Sequence, residues 1–199
     1  SINVQARESN YFGGHYWGKG FVTFCKNEAR QVQEQFEKLG IAAKGSCEVI
    51  PTRSSVHSFV KVKYHSQPWP NALYIKPFRF FVSTIEHCMQ LIEKVEENYR
   101  TGDASVESFH FINAHCDMTV APSKLFTFDY VQKADQPKKT IVAKLAHSVF
   151  LSKEDCETKA KEMEDDHSKK DLPWLLSFCE KVDSSSGNPY RLSFAYVQD

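Results

Sequence analysis

Residues 21–36 have the sequence FVTFCKNEARQVQEQF, and this segment establishes the pattern from which the fold of the chain is predicted. Within it the apolar residues recur at steps of four, three and four, as Cys25, Ala29, Val32 and Phe36. This spacing places their side chains on one face of an α-helix, the face that packs on a core. The segment therefore predicts an amphipathic helix that is headed by a cysteine.

The same spacing occurs twice more, in both cases headed by a cysteine: Cys88, Ile92, Val95 and Tyr99, then Cys156, Ala160, Met163 and His167. Downstream of each helix lie a second cysteine and an alternating, strand-like segment, and these segments place Tyr64, Tyr130 and Tyr196 at equal intervals. Recurrence of this kind is typical of internal repeats. We interpret the chain as three sequential β-α-β-β repeats at about 15–66, 70–133 and 138–199, preceded by an N-terminal arm at 1–14.

A hydroxyl residue at the end of an apolar segment precedes or begins each predicted helix: Thr23, Ser83 and Ser152. Side chains of this type accept hydrogen bonds from the first free N–H groups of a helix. Glu86, three residues after Ser83, would complete a capping box. We therefore expect these three residues to be the N-caps of the helices.

A single unit of one helix on three strands would bury too little apolar surface to be stable alone. Three units together, with 199 residues and 41% apolar content, are enough for one compact domain spanning 1–199. Hairpin-length connections between the last two strands of each unit favour antiparallel pairing. The predicted class is α+β, a mostly antiparallel sheet with helices packed on one face.

The six cysteines are distributed two to each unit, one on the helix stripe and one in the strand that follows. A helix that lies on its own sheet would bring these two positions close together. We therefore predict one disulfide per repeat: Cys25–Cys47, Cys88–Cys116 and Cys156–Cys179. Such bridges stabilise small units with thin cores and are typical of oxidising compartments. Buried free thiols are the alternative.

Charge and hydropathy exclude several classes of protein. Lys and Arg total 25 and Asp and Glu total 25, so the chain lacks the basic excess of proteins that bind nucleic acid, and no nucleic-acid partner is expected. No apolar run approaches the roughly 20 residues of a membrane helix, so no membrane span is expected. The first ten residues do not have the pattern of a signal peptide. Together with the disulfides, this favours a secreted protein from which the signal peptide has been removed.

The spacing of the polar residues predicts no catalytic or metal-binding site. His115 and Asp117 would share one face of a strand while His110 lies on the other, which makes a weak metal site and favours solvated surface side chains. His87 and Cys88 would diverge on their helix. No motif of an activated nucleophile, a phosphate loop or a zinc site is present. The sequence therefore predicts no catalytic residue, no metal and no cofactor.

A partner-specific surface is expected where the repeat is broken. Residues 11–17, YFGGHYW, have no counterpart before the other units, and the glycines would give the backbone freedom to present aromatic side chains, which are enriched at binding hot spots. The extra residues of the second unit, at 100–108, form a second candidate. Packing of Tyr16 and Trp17 inside the first strand is the alternative. The predicted binding residues are Tyr11, Phe12, Tyr16, Trp17 and, in the linker, Trp69.

These observations predict a secreted, disulfide-stabilised, non-enzymatic binding protein that acts through macromolecular interaction with a protein partner. An extracellular carrier for an apolar small molecule is the first alternative, because 15 Phe, 8 Tyr and 3 Trp could line a pocket. An enzyme of unrecognised type is a further alternative, and it would have to be argued from a site. The sequence leaves the oligomeric state open.

Overall fold

The computed structural model describes residues 7–68, 71–100, 110–133, 140–182 and 187–198. A 3-10 turn (Lys19–Phe21) precedes the first helix, and a π-helical turn (Glu96–Arg100) extends the second. In chain order the strands and α-helices are β1 (Arg7–Trp17), α1 (Val22–Lys38), β2 (Ala43–Pro51), β3 (Val56–Ser66), β4 (Leu73–Val82), α2 (Ile85–Val95), β5 (His110–Asp117), β6 (Lys124–Lys133), β7 (Thr140–Phe150), α3 (Lys153–Lys169), β8 (Trp174–Lys181) and β9 (Tyr190–Gln198).

The strands form a six-stranded sheet in the order β2-β3-β1-β5-β6-β4 and a three-stranded sheet in the order β7-β9-β8. All neighbours are antiparallel except β1 and β5, which are parallel and meet at a single residue pair, His15 with Asp117. The larger sheet is thus two antiparallel halves joined at one point. The predicted mixture of helices with a mostly antiparallel sheet is confirmed.

Each helix connects two strands that flank a third, so every three-stranded group has a split β-α-β arrangement. The apolar stripe of α1 is buried as predicted from its spacing. It forms a first core with β1 and β3, which also takes in Ile112 and Val131 from the other half of the sheet. A second core surrounds α2 and includes residues of the smaller sheet, so it joins the two sheets: Leu175, Leu176, Ala195 and Val197.

The three predicted disulfides are confirmed. Cys25–Cys47, Cys88–Cys116 and Cys156–Cys179 are bonded, with Cα–Cα distances of 5.6, 6.2 and 6.0 Å. Each bridge ties a helix to the strand that follows it, because a side chain on the inner stripe of the helix lies directly above that strand. The helix cysteine is fully buried in every case.

The helix starts agree with the prediction only in part. Ser152 caps α3 by accepting a hydrogen bond from the Asp155 N–H. For α2 the cap is Thr84, which accepts from the His87 N–H, and the prediction of Ser83 was wrong. Thr23 lies within α1, whose first turn has no side-chain cap. No helix among the described residues is long and apolar enough to cross a membrane.

The described part of the N-terminal arm predicted at 1–14 is a strand, since β1 pairs with β3 along its whole length. Gly13 and Gly14 form a bulge in that strand, between Phe12 and His15. A Cβ atom on Gly13 would lie 2.3 Å from the Glu28 carboxylate, and one on Gly14 would lie 2.1 Å from the Tyr16 hydroxyl. The two glycines are therefore needed for close packing, and the freedom expected of them from sequence is absent.

Candidate functional site

The structure separates the predicted binding residues into two groups. The bulge at Gly13 and Gly14 shifts the alternation along β1, so that Tyr11 and Tyr16 both face the core. Both are buried and do not lie on an exposed surface, as the packed alternative predicted for Tyr16. Phe12 and Trp17 lie on the opposite face and are 53% and 40% exposed. Trp69 lies outside the described residues, and so does the second candidate stretch except for Arg100.

Phe12 and Trp17 belong to a larger apolar surface on the outer face of β1, β3 and β2. Trp17 and Ile50 both pair with His57, and His15 pairs with Phe59. The aromatic rings are in continuous contact, with centroids 6.3 Å apart for Phe12–Phe59, 5.5 Å for His15–Phe59 and 5.1 Å for Trp17–His57. We call this surface the aromatic strip: Phe12, His15, Trp17, Ile50, His57 and Phe59.

His15 lies at the centre of the aromatic strip and is uncharged at neutral pH. The His15 Nδ1 lies 3.4 Å from the His57 Nε2, and the two rings are stacked. Burial lowers the pKa of His15, and the neighbouring His57 and His115 lower it further, against an opposing effect of Asp117. Since the pKa falls below the usual 6.5, His15 is neutral at pH 7.

The inner face of β1 carries a second feature, a chain of hydrogen-bonded polar side chains inside the core. Glu28 of α1 accepts hydrogen bonds from the Gly14 N–H at 2.8 Å, the Asn113 amide at 3.0 Å and the Tyr16 hydroxyl. Burial raises the pKa of Glu28, while His115 and these donors act in the opposite direction. The cost of burying this carboxylate is therefore only partly offset by its partners.

The series of hydrogen-bonded side chains continues into the other half of the sheet. The Asn113 amide lies 3.3 Å from the Tyr11 hydroxyl, which donates to Asp129, and the His115 Nε2 lies 2.7 Å from the Asp129 Oδ2. Burial, followed by nearby carboxylates, raises the pKa of both tyrosines well above 10, so the phenols remain hydrogen-bond donors. We call these residues the buried polar network: Tyr11, Tyr16, Glu28, Asn113, His115 and Asp129.

His115 was expected to be a solvated strand residue, and this was wrong. It is 9% exposed, and the Tyr11 ring packs edge-on against the imidazole. As strand alternation predicts, His115 faces away from Cys116, but Tyr11 of β1 covers the face on which it lies. Burial lowers the pKa of His115, but Asp129, with a smaller effect of Glu28, outweighs burial and raises it overall.

The raised pKa of His115 predicts a pH-dependent stability. Because the folded protein holds this proton more tightly than the unfolded chain, the stabilisation is complete below pH 6.5 and is lost as the pH rises through the folded pKa. Glu28 acts in the same direction, since its raised pKa makes ionisation above about pH 4.5 more costly in the folded state. We expect the contributions of His115 and Glu28 to the free energy of unfolding to decrease from mildly acidic to alkaline pH, whereas the contribution of His15, whose pKa is lowered, increases with pH up to about 6.5. The His115 ring signals in NMR should titrate above pH 6.5.

Asp129→Asn is the informative variant, because burial then dominates and the His115 midpoint should move below pH 6.5. Asp117→Asn is the matched control, since Asp117 does not contact His115 and its removal should leave that midpoint unchanged. A His115 midpoint that stays above pH 6.5 in Asp129→Asn would contradict this assignment.

A cavity of about 540 Å³ opens between α1 and α2. Ala114 of β5 also lines it, and so does Glu28, which connects the cavity to the buried polar network. The apolar part of the wall consists of Phe24, Met89, Ile92 and Ala114, and the polar part of Asn27, Glu28, Gln31, Gln90, Glu93, Glu96 and Arg100. The π-helical turn supplies Glu96 and Arg100, and departures of this kind from α-helical geometry are frequent at functional sites.

The guanidinium of Arg100 contacts four other residues. Its guanidinium makes two hydrogen bonds to Glu96, one to the Asn113 Oδ1 at 3.0 Å and one to the Gln31 carbonyl at 3.3 Å. It also lies 5.1 Å from the centre of the Phe111 ring. Arg100 therefore fastens the end of α2 to α1 and β5.

Glu180 is the centre of a separate buried cluster. It accepts hydrogen bonds from the Ser83 N–H and hydroxyl and from Arg191, and the His87 Nδ1 lies 3.0 Å away. Burial raises the pKa of Glu180, but Ser83 and Arg191 outweigh it, so the pKa is lowered overall.

This set of residues does not have the geometry of a serine nucleophile. In a catalytic triad the acid and the serine contact different nitrogens of the imidazole. Here Ser83 and Glu180 both face the His87 Nδ1, and Ser83 donates to Glu180 directly. The cluster instead ties β4 and α2 to β8 and β9.

Sequence reasoning did not identify Glu28, Asn113 or Asp129, and it included Arg100 only as the first residue of the candidate stretch at 100–108. A signal existed for Glu28, which lies three residues after Cys25 and four before Val32 and therefore on the buried stripe of α1. An acid at such a position indicates a buried polar partner. Asn113, Asp129 and Arg100 contact residues that lie 85, 118 and 69 positions away in the sequence, and no local pattern predicts such contacts.

Within the described residues, no group of three or more His, Cys, Asp or Glu side chains is placed to hold a metal ion. Comparison with protein-family models, curated proteins and solved structures gives no match. The aromatic strip and the cavity are therefore the features from which a function is inferred.

Proposed function

We propose that this chain is a secreted, non-enzymatic binding protein and that the aromatic strip binds a protein partner. The observation that supports this is the strip itself: five rings in continuous contact on a sheet face, with Phe12 about half exposed and Trp17 40% exposed. Trp and other aromatic residues dominate binding energy at protein interfaces, and contiguous exposed apolar patches mark such interfaces. A neutral His15 at pH 7 keeps the cost of covering the strip low.

Two further observations fit this proposal. Three disulfides are typical of an oxidising, extracellular setting. The three β-α-β-β groups share one strand order and one helix-to-strand disulfide each, which supports our interpretation of them as repeats of a common unit. Outer-face residues that occur in only one group are then not required by the common fold and can contact a partner.

The test replaces the two most exposed rings of the strip. Protein carrying photoreactive p-benzoylphenylalanine at position 12 is irradiated in extracellular fluid of the source, and the discrete protein adduct is competed with unmodified protein. The Phe12→Ala/Trp17→Ala variant should need at least tenfold more protein to compete, since loss of hot-spot aromatics typically costs about 2 kcal/mol or more.

The matched control is Phe81→Ala/Leu151→Ala, which removes two exposed apolar side chains outside the strip. It should compete as well as the unsubstituted protein. Absence of any competable adduct, or equal competition by both double variants, would contradict the proposal.

The cavity between α1 and α2 favours a second candidate function, that of a small-molecule carrier. Ligand cavities of about 300–1,000 Å³ with apolar walls and a few fixed polar groups are typical of such sites, and this cavity falls within that range. The titrations described in the next subsection test this function as well.

A further inference from the structure

We infer that the cavity between α1 and α2 binds a small organic cation, an ammonium group carried on an aromatic or aliphatic body. This inference rests on the second proposed function, and it adds the chemical class of the ligand.

The lining of the cavity disfavours anionic ligands. Arg100 is the basic residue among the described lining residues. Its donors are already directed at Glu96, Asn113 and the Gln31 carbonyl, so an anionic ligand would have to break these contacts. A carboxylate or phosphate ligand would also meet the negative charge of the remaining lining residues.

Carboxylates predominate among the charged side chains that line the cavity. Glu28, Glu93 and Glu96 line the cavity, and Glu96 is paired with Arg100. Among the described residues neither Glu28 nor Glu93 forms an ion pair with a lysine or an arginine. The lining thus carries more acidic than basic side chains, and of the two acids without a lysine or arginine partner Glu28 is buried and Glu93 is exposed.

A cation bound beside Glu28 would lower the free-energy cost of ionising that carboxylate. Burial raises the pKa of Glu28, so the folded protein bears a cost for keeping this carboxylate ionised. An ammonium group within hydrogen-bond distance would reduce that cost and form a charge-assisted hydrogen bond. A neutral ligand in the same cavity would not.

The apolar part of the wall favours a ligand whose ammonium group is attached to an apolar body. Phe24, Met89, Ile92 and Ala114 form an apolar wall beside the carboxylates. A bare inorganic cation would leave that wall in contact with water, whereas an aromatic or aliphatic body would cover it. Met and Phe side chains suit a flat ring in particular, because sulfur and aromatic groups pack well against it.

The experiment compares three probes of similar shape by isothermal titration calorimetry at pH 7: phenethylammonium, the neutral phenethyl alcohol and the anionic 3-phenylpropanoate. Phenethylammonium should bind at least tenfold more tightly than the alcohol, and 3-phenylpropanoate should bind more weakly than both. Glu93→Gln, an exposed change that leaves the core intact, should reduce the affinity for the amine and leave that for the alcohol unchanged.

A second variant locates the binding. Asn27→Trp places a large side chain at an exposed position that lines the cavity, and it should weaken phenethylammonium binding at least tenfold. Lys26→Trp adds the same side chain one residue away on the exposed surface of α1, outside the cavity lining, and should bind like the unsubstituted protein.

The outcomes separate the inference from the function on which it rests. Equal binding of the amine and the alcohol, both lost in Asn27→Trp, would overturn the preference for a cation and leave a small-molecule carrier. Absence of binding by all three probes, or binding that Asn27→Trp does not affect, would overturn both.

Discussion

Replacement of Glu28 with alanine is expected to lower the free energy of unfolding by about 3–5 kcal/mol. The carboxylate accepts three hydrogen bonds inside the core, from Gly14, Tyr16 and Asn113. Alanine leaves all three donors buried without an acceptor, and each such donor costs about 1–3 kcal/mol, against which the burial cost of the carboxylate is recovered. In a chain of this length the melting temperature should fall by roughly 6–20 °C.

Urea unfolding at pH 7, followed by circular dichroism, measures this effect. Glu28→Gln should lose less than Glu28→Ala, because the amide oxygen still accepts a hydrogen bond. Glu34→Ala is the matched control on the same helix: Glu34 is exposed and its ion pair with Arg30 is worth less than about 1 kcal/mol. If Glu28→Ala is as stable as Glu34→Ala, the buried polar network does not stabilise the fold.

Removal of the Cys88–Cys116 bridge by Cys88→Ala/Cys116→Ala should lower the free energy of unfolding by about 3–4 kcal/mol. The bridge closes a loop with a sequence separation of 28 residues, so its absence gives the unfolded chain more conformational freedom. Both cysteines also lie in the core that joins the two sheets, so loss of the sulfur atoms reduces packing there.

Cys156→Ala/Cys179→Ala is the comparison, because that bridge has a similar separation of 23 residues but its helix cysteine lies in the smaller core around α3. The loop effect is nearly the same for both pairs, so the Cys88–Cys116 variant should be the less stable of the two by the packing contribution. The measurement is urea unfolding under non-reducing conditions. Unchanged stability of Cys88→Ala/Cys116→Ala would show that the bridge is dispensable.

The helices and disulfides were predictable because their signals are local. A spacing of four, three and four residues places side chains on one helix face whatever surrounds the helix. Cys25 on that face and Cys47 in the next strand are then brought together by the short connection between them. The same reasoning applied to Cys156 and Cys179, and both pairings are confirmed.

The roles of the aromatic residues at 11–17 were only half predictable. Phe12 and Trp17 lie on the exposed face as expected of a binding surface, whereas Tyr11 and Tyr16 are buried. Alternation predicts that neighbours in a strand face opposite sides, but it does not say which side is covered. The bulge at Gly13 and Gly14 also shifts the alternation, and nothing in the segment itself reports where Glu28 approaches.

The sequence by itself determined the α+β class, the helix faces and the disulfide pairs, because these depend on periodicities and on residues joined by short lengths of chain. Only the tertiary structure decided that β1 meets β5 at one point, that His115 and Asp129 are covered by Tyr11, and that a cavity opens between α1 and α2. These contacts join residues far apart in the chain. They arise from the packing of whole units against one another, a property that no local pattern encodes.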